Sequence, residues 1–214
     1  FERAGRELHS GYDLKTARRS MNLLTIEWAN RGINMWTIDE GFINLAQGVA
    51  TYDLPADTID LIEQVIRTGA GSTTLQSDLN LSRISVSTYS SVPNKLTQGR
   101  PIQVWVDRLR DNPTVTLWPV PDRGSALAPY YVLRYWRLRR IENAGAGVET
   151  SDMNFRFFPA LVSGLAYYIA TKIPELLPRI EMLKLQYEEQ YALAAGEDRE
   201  KAAISLIPRI YGIS

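Results

Sequence analysis

Hydrophobic positions near the start of the chain recur with the spacing of a helix. From Asp13 to Arg31, apolar residues follow one another at intervals of three and four: Leu14, Ala17, Met21, Leu24 and Trp28. This spacing places them along one face of an α-helix. Asp13 is predicted to be the N-cap of that helix, and Gly32 to supply the left-handed residue that ends it.

From about residue 34 to residue 148 the pattern changes to short, β-rich runs separated by turn residues. The strand candidates are Met35–Ile38, Gly41–Leu45, Ala50–Pro55, Ile102–Val106, Thr114–Trp118 and Tyr130–Leu138. Ile59–Ile66 fits either a strand or a short helix. Val86–Pro93 is predicted to form a helical turn, and Gly69–Thr74 the tip of a hairpin. Strands at this spacing predict a small antiparallel sandwich or barrel.

Helical spacing returns in the last third of the chain. Phe155–Ile173 is strongly apolar, and its small residues Ser163, Gly164 and Ala166 allow a close approach between helices. Pro174 is predicted to break this helix. A second helix, Glu175–Ala195, carries one apolar stripe: Leu176, Ile180, Leu183, Tyr187 and Tyr191. The terminal segment contains Pro208, past which the helix cannot continue.

This order of elements predicts an α+β fold. Residues 1–33 and 150–197 are expected to form a helical bundle of three to four helices, interrupted by an antiparallel β domain of residues 34–149. Residues 198–214 are expected to form an extended C-terminal arm. The segment Trp28–Gly41 is then the junction between bundle and sheet. We expect Trp28 to complete the apolar face of the bundle and Trp36 to open the core of the sheet.

Composition excludes several classes of function. The 214 residues carry a formal net charge of +0, so no overall basic field attracts nucleic acid or membrane. There is no cysteine, and the one histidine, His9, is expected at a surface or helix end, so thiolate nucleophiles, two-histidine metal sites and histidine-dependent triads are not expected. No window reaches the ~20 apolar residues of a membrane span. Neither a cofactor nor a metal is predicted.

Arginine dominates the basic residues, with 19 arginines against 5 lysines, although genomic base composition would explain the excess equally well. Basic and aromatic residues mix in the segment from Arg134 to Arg140, as in nucleic-acid-binding surfaces. On a strand, Tyr135, Arg137 and Arg139 would share one face. The favoured interpretation is structural salt bridges or subunit contacts, with a DNA-facing surface as the alternative. The candidate residues are Arg134, Arg137, Arg139 and Arg140.

Two further features leave alternatives open. Acidic residues are abundant, and a glycoside hydrolase needs two carboxylates about 5–9.5 Å apart, so a carboxylate hydrolase is a weak third hypothesis. The chain also ends in an apolar segment, with the side chains of Ile204, Leu206, Ile207, Ile210, Tyr211 and Ile213. A terminus this apolar is expected either to dock on its own fold or to insert into a partner, for example by strand addition.

Several motifs, in order along nearly the whole chain, resemble the head-to-tail adaptors of short-tailed phages, a family related to tail tubular protein A. The motifs are Leu14–Leu24, Glu27–Thr37, Tyr52–Pro55, Pro93–Lys95, Gly99–Pro101, Leu117–Pro121, Tyr135–Glu142 and Phe158–Tyr168. No single motif is diagnostic, and their order carries the resemblance.

The resemblance implies a structural, non-enzymatic virion protein of the phage neck or tail, assembled in the host cytoplasm. It implies a homo-oligomeric ring, typically of twelve copies, between the portal protein and the tail nozzle protein. DNA would pass through the lumen without sequence-specific binding, and no membrane is involved. The C-terminal residues Ile204, Leu206, Ile207, Arg209, Ile210 and Tyr211 would contact the portal. Arg134, Arg137, Arg139 and Arg140 would face a neighbouring subunit or the DNA lumen.

Overall fold

A computed structural model describes residues 1–7, 11–32, 37–141 and 153–197. The fold is mixed α+β, as the order of apolar patterns predicted, with helices at both ends of the described chain and strands between them. The chain divides into two compact units. The helical unit comprises Phe1–Met35 and Asn143–Ser214, and the β unit comprises Trp36–Glu142. The junction residue Trp36, His9 and the C-terminal arm lie outside the described residues.

The first long helix, α1 (Gly11–Asn30), confirms the predicted stripe from Ala17 onwards but not at its first position. Leu24 and Trp28 are fully buried, whereas Leu14 is exposed. Asp13 is not the N-cap, because Gly11 and Tyr12 before it are already helical; it lies in the first turn, where a carboxylate still complements the helix dipole. The prediction for Gly32 is confirmed, since its φ of 85° is left-handed and the helix has ended at Asn30.

In the described part of the helical unit, two further α-helices follow the β unit. A 3-10 turn (Phe155–Phe157), capped by the Asn154 side chain, leads into α3 (Phe158–Ala170). The spacing predicted that the last α-helix begins at Glu175, but it begins at Ile180. Pro174–Arg179 is a 3-10 helix, because Pro178 has no N–H to continue an α-helical ladder, and α4 (Ile180–Glu197) follows it.

The described residues between α1 and α3 form ten strands and one short α-helix. The strands are β1 (Ile38–Asn44), β2 (Thr51–Asp53), β3 (Thr58–Thr68), β4 (Ser77–Asn80), β5 (Ser82–Arg83), β6 (Gln98–Gly99), β7 (Gln103–Asp107), β8 (Thr114–Trp118), β9 (Val120–Pro121) and β10 (Tyr131–Arg139). The ambiguous segment Ile59–Ile66 is thus a strand, and the predicted helical turn is α2 (Val86–Ser90), capped by Ser85. Gly69–Thr74 does join β3 to its hairpin partner β4.

The strands form two main sheets with a shared core. One sheet has the order β1-β10-β3-β4 and is antiparallel throughout; the other has the order β2-β8-β7-β5. Two short pairs, β5 with β7 and β6 with β9, are parallel, so the antiparallel prediction holds for the longer strands only. Buried side chains of both sheets, among them Leu133 and Val104, belong to one hydrophobic cluster. This is the sandwich-like packing that alternating strands predict.

Candidate interaction site

The predicted arginine segment lies mostly on β10, the second strand of the sheet with the order β1-β10-β3-β4. This strand pairs with β1 on one side and with β3 on the other, so its backbone is held along both edges. Tyr135 points into the core, and its ring covers Gly41 of β1 so closely that any Cβ there would lie 2.5 Å from a ring carbon. Only a glycine at position 41 therefore leaves room for the Tyr135 ring of β10.

Arg137 is the centre of a carboxylate cluster. Its guanidinium donates to Asp57 Oδ1 at 2.6 Å and to Thr58 Oγ1 at 3.0 Å, and it approaches Asp39 Oδ2 at 3.3 Å. Arg139 pairs with the same Asp39 oxygen at 3.0 Å. Burial opposes ionisation of Asp57, but the hydrogen bond and charge of Arg137 outweigh it and lower the pKa of that carboxyl. Tyr135, Arg137 and Arg139 were predicted to share one strand face, and both arginines do reach one carboxylate.

Arg134 belongs to the opposite face of the same sheet. Its guanidinium pairs with Glu40 of β1 and lies 5.9 Å from the centre of the Phe42 ring. On this face, Arg67 of β3 also holds Asp78 of β4 in a bidentate pair at 2.7 and 2.6 Å. The hydrogen bonds from Arg67 lower the pKa of Asp78. On this face of the sheet, ion pairs therefore join β1 to β10 and β3 to β4.

The last residue of the segment, Arg140, is exposed, and its backbone N–H donates to the Asp57 carbonyl. The other three arginines are each paired with carboxylates of the same unit. Their positive charge is therefore largely compensated within the chain, which reduces what the strand can offer to phosphate groups.

A second cluster, which sequence reasoning missed, lies in the helical unit around Glu27. Trp28 Nε1 donates to the Tyr187 hydroxyl at 2.9 Å, and that hydroxyl donates to Glu27 Oε1 at 3.1 Å. The Tyr168 hydroxyl donates to Glu27 Oε2 at 2.6 Å. One carboxylate of α1 thus joins α3 and α4. Burial, followed by the hydrogen bond to Glu27, raises the pKa of Tyr168 to about 12.

Arg31 closes this cluster at the end of α1. It reaches Glu27 Oε1 at 2.5 Å and donates to both oxygens of Glu188 at 2.8 and 2.9 Å, while its guanidinium lies 4.5 Å from the centre of the Tyr191 ring. The hydrogen bonds from Arg31 lower the pKa of Glu188. We call Glu27, Trp28, Arg31, Tyr168, Tyr187 and Glu188 the helix lock. The sequence contains one indication of it: the predicted apolar stripe of the last helix includes Tyr187, whose hydroxyl needs a hydrogen-bond partner when the ring is buried.

Comparison with known proteins now decides the family. A family profile described as "SU10 adaptor protein" matches residues 2–206, nearly the whole chain. The chain belongs to the SU10 adaptor protein family. No curated protein sequence matches it significantly. The resemblance to phage head-to-tail adaptors, drawn from the order of motifs, is confirmed.

Membership of the SU10 adaptor family supports a structural virion protein that contacts other phage head and tail proteins. Within residues 1–7, 11–32, 37–141 and 153–197 there is no group of three or more His, Cys, Asp or Glu residues able to hold a metal ion. In the same described part of the chain, no helix is long and apolar enough to cross a membrane. The family match ends at Leu206, within the C-terminal arm, and the predicted portal-binding residues lie outside the described residues.

Proposed function

We propose that this protein is a head-to-tail adaptor that forms a ring between the portal and the tail nozzle of a short-tailed phage, with DNA passing through its lumen. The observation that carries the proposal is the family match over residues 2–206. The neutral chain and the internal pairing of its strand arginines agree with it, since a lumen without excess cationic charge lets DNA slide without salt-dependent retention. In this proposal, residues 1–33 and 150–197 form the helical domain, 34–149 the inserted domain and 198–214 the arm.

Imaging of purified virions tests the ring directly. Particles labelled with an antibody against the β unit should show a single band of density at the neck, and the adaptor mixed with purified portal should form ring-shaped complexes by negative stain. The chain should be present in virions in a fixed ratio to the portal. Absence from virions, together with no complex with the portal, would contradict the proposal.

The C-terminal arm is the proposed portal contact, through Ile204, Leu206, Ile207, Arg209, Ile210 and Tyr211. Replacing Ile207 and Ile210 by Asp should abolish co-sedimentation with the portal, because charged groups cannot be buried in an apolar contact. Far-UV circular dichroism should stay unchanged. Ser205→Ala, a change in the same segment that removes no apolar group, is the matched control. An unfolded Asp variant would place the arm in the core instead, and normal portal binding would exclude it as the contact.

The alternative function, a nucleic-acid-binding module using Arg134, Arg137, Arg139 and Arg140, is disfavoured by the ion pairs of the first three. To bind phosphates these arginines would have to leave Glu40, Asp57 and Asp39. A DNA titration at low salt should therefore show weak binding. Tight binding with a steep salt slope, lost on Arg140→Ala, would instead favour the alternative.

A further inference from the structure

The outer face of α1 carries an exposed row of apolar and basic residues. Tyr12, Lys15, Arg19, Leu23 and Ile26 are all exposed and recur at intervals of three and four. At 3.6 residues per turn they form one stripe, on the side of the helix opposite the buried Leu24 and Trp28. We call this set the basic stripe. Its two charges are positive.

The outer face of α4 carries a corresponding row with acidic charges. Glu181, Met182, Leu185, Glu189 and Leu193 are exposed, and they lie opposite the buried Leu183 and Tyr187. Leu185 is 72% exposed and shares this face with the exposed Met182 and Leu193, so the three form an apolar patch rather than single exposed residues. We call this set the acidic stripe. Lys184, the nearest cation in sequence, interacts with Glu188 instead.

The two stripes lie on different helices of the same unit. Both α1 and α4 pack against α3, and the helix lock joins them through side chains at one end only, around Trp28 and Tyr187. Each stripe faces away from that packing. One chain therefore presents two different apolar patches of opposite charge, which is the requirement for a heterologous, head-to-tail contact between identical subunits.

The spacing of the stripes also selects an orientation. Read backwards along α1, Ile26, Leu23 and Arg19 are separated by three and then four residues. Read forwards along α4, Met182, Leu185 and Glu189 have the same separations. An antiparallel alignment therefore places two apolar pairs side by side and Arg19 opposite Glu189. In a parallel alignment of the same residues, Arg19 would instead face Met182.

We infer that the basic stripe of one copy packs antiparallel on the acidic stripe of the next copy, forming the contact between helical units in the assembled ring. The inference rests on the proposed ring, and it adds which surfaces meet and in which register. Apolar contacts of Leu23 and Ile26 with Met182 and Leu185 would supply the buried area. The pair of Arg19 with Glu189 would fix the register and exclude the reverse pairing.

Cysteine cross-linking tests the contact, and the cysteine-free chain gives no background. Virions carrying Leu23→Cys together with Leu185→Cys are oxidised or treated with a short bis-maleimide and analysed on denaturing gels. A ladder of dimers, trimers and larger oligomers is expected. Each single variant should stay monomeric, because Leu23 and Leu185 meet each other and not themselves. The matched control combines Leu185→Cys with Leu127→Cys, a 98% exposed position of the β unit.

Charge exchange tests the register. Arg19→Glu and Glu189→Arg should each lower ladder formation about tenfold, because like charges then face each other. The combination of both changes should restore it. A ladder that neither change affects would overturn the register.

The outcomes also separate this inference from the proposed ring. If the doubly substituted chain forms the neck ring by imaging but gives no ladder, the ring stands and the stripes are not its contact. Cross-links to a different virion protein would also overturn the inference, because they would show that one stripe contacts that protein and not a second copy of this chain. If no ring is present, the proposed function fails with it.

Discussion

The two units of this adaptor hold their arginines in opposite ways. In the helical unit one residue, Arg31, contacts two carboxylates and two aromatic rings, and Glu27 alone takes hydrogen bonds or charge from Tyr168, Tyr187 and Arg31. In the β unit, pairs such as Arg67–Asp78 and Arg134–Glu40, and the cluster in which Arg137 and Arg139 share Asp39, lie between strands whose backbones are already hydrogen-bonded. Because Glu27 and Arg31 join separate helices through their side chains, the helical unit should be sensitive to single changes, whereas the strands keep their backbone hydrogen bonds when an ion pair is lost.

The largest loss is expected for Trp28→Ala. Trp28 is fully buried, it donates to Tyr187, and its ring centroid lies 5.5 Å from that of Phe157 and 6.2 Å from that of Tyr191. Truncating a buried tryptophan costs about 3–5 kcal/mol of unfolding free energy. Urea unfolding followed by far-UV circular dichroism measures the loss. Phe155→Ala removes an exposed aromatic side chain of the same unit and should change the unfolding free energy by less than about 0.5 kcal/mol.

A loss confined to the helical unit would support the contrast. Hydrogen exchange read by peptide mass spectrometry resolves the two units, and peptides of β3 and β10 should keep their protection in the Trp28→Ala protein. If the sheet peptides lose protection to the same extent, the two units unfold together and the contrast between them is wrong.

The second largest effect is expected for Gly164→Ala. A Cβ at Gly164 would lie 2.8 Å from Tyr187 Cε2 and 2.9 Å from Leu24 Cδ1, both in the packed centre of the helical unit. Overpacking of this kind costs about 1–3 kcal/mol, against a gain of up to about 1 kcal/mol in helix propensity. The matched control is Gly196→Ala in α4, where a Cβ meets nothing within 4 Å. This control should be neutral or more stable, and equal effects at both glycines would contradict the packing argument.

The residues of these two predictions differ in how visible they are in the sequence. The burial of Trp28 and the close approach at Gly164 follow from local spacing and side-chain size, and both were predicted. The partners of Glu27 were not, because Tyr168 and Tyr187 lie 141 and 160 residues away. Helical periodicity indicates which face of a helix is buried but not which hydroxyl of another helix will meet a given carboxylate.

The β unit shows the same limit. Alternation correctly placed Arg137 and Arg139 on one face, but Asp57, 80 residues from Arg137, lies in the turn before β3 and no pattern pointed to it. Leu14 is the opposite case, a buried position that periodicity predicted and that is exposed in the structure. Periodicity placed Leu14 on the buried stripe of α1, although Ala17 is the first residue of that stripe to pack against the helical core, because the spacing of apolar residues carries no information on where the partner helix ends.

A smaller loss is expected in the β unit for Arg137→Gln. The side chain of Arg137 is only 12% exposed and serves both Asp39 and Asp57, so removing its charge leaves Asp57 without its ion pair. Asp39 keeps Arg139, and the strand keeps its backbone bonds on both sides. We expect a loss of about 1–2 kcal/mol. Thermal unfolding of the Arg137→Gln protein, and of Arg134→Gln, its counterpart on the other face, measures the loss. A loss as large as that of Trp28→Ala would show that the sheet depends on one ion pair as strongly as the helical unit depends on Trp28, and would contradict the comparison.

The smallest effect is expected for Glu188→Gln, and it should depend on pH. Hydrogen bonding and charge from Arg31 lower the pKa of Glu188 in the folded chain below its ordinary value of 4.5. A lowered folded pKa means that the stabilisation is present above the unfolded pKa and is lost as pH falls through the folded one. Because Glu188 is partly exposed and Arg31 keeps Glu27, the wild type should exceed the variant by only about 0.2–1 kcal/mol near pH 7. Unfolding free energies measured at about pH 7 and about pH 3 should show this difference shrinking on acidification. A difference that stays constant with pH would mean that Glu188 contributes by packing, and that the carboxylate of the helix lock on which stability depends is Glu27 alone.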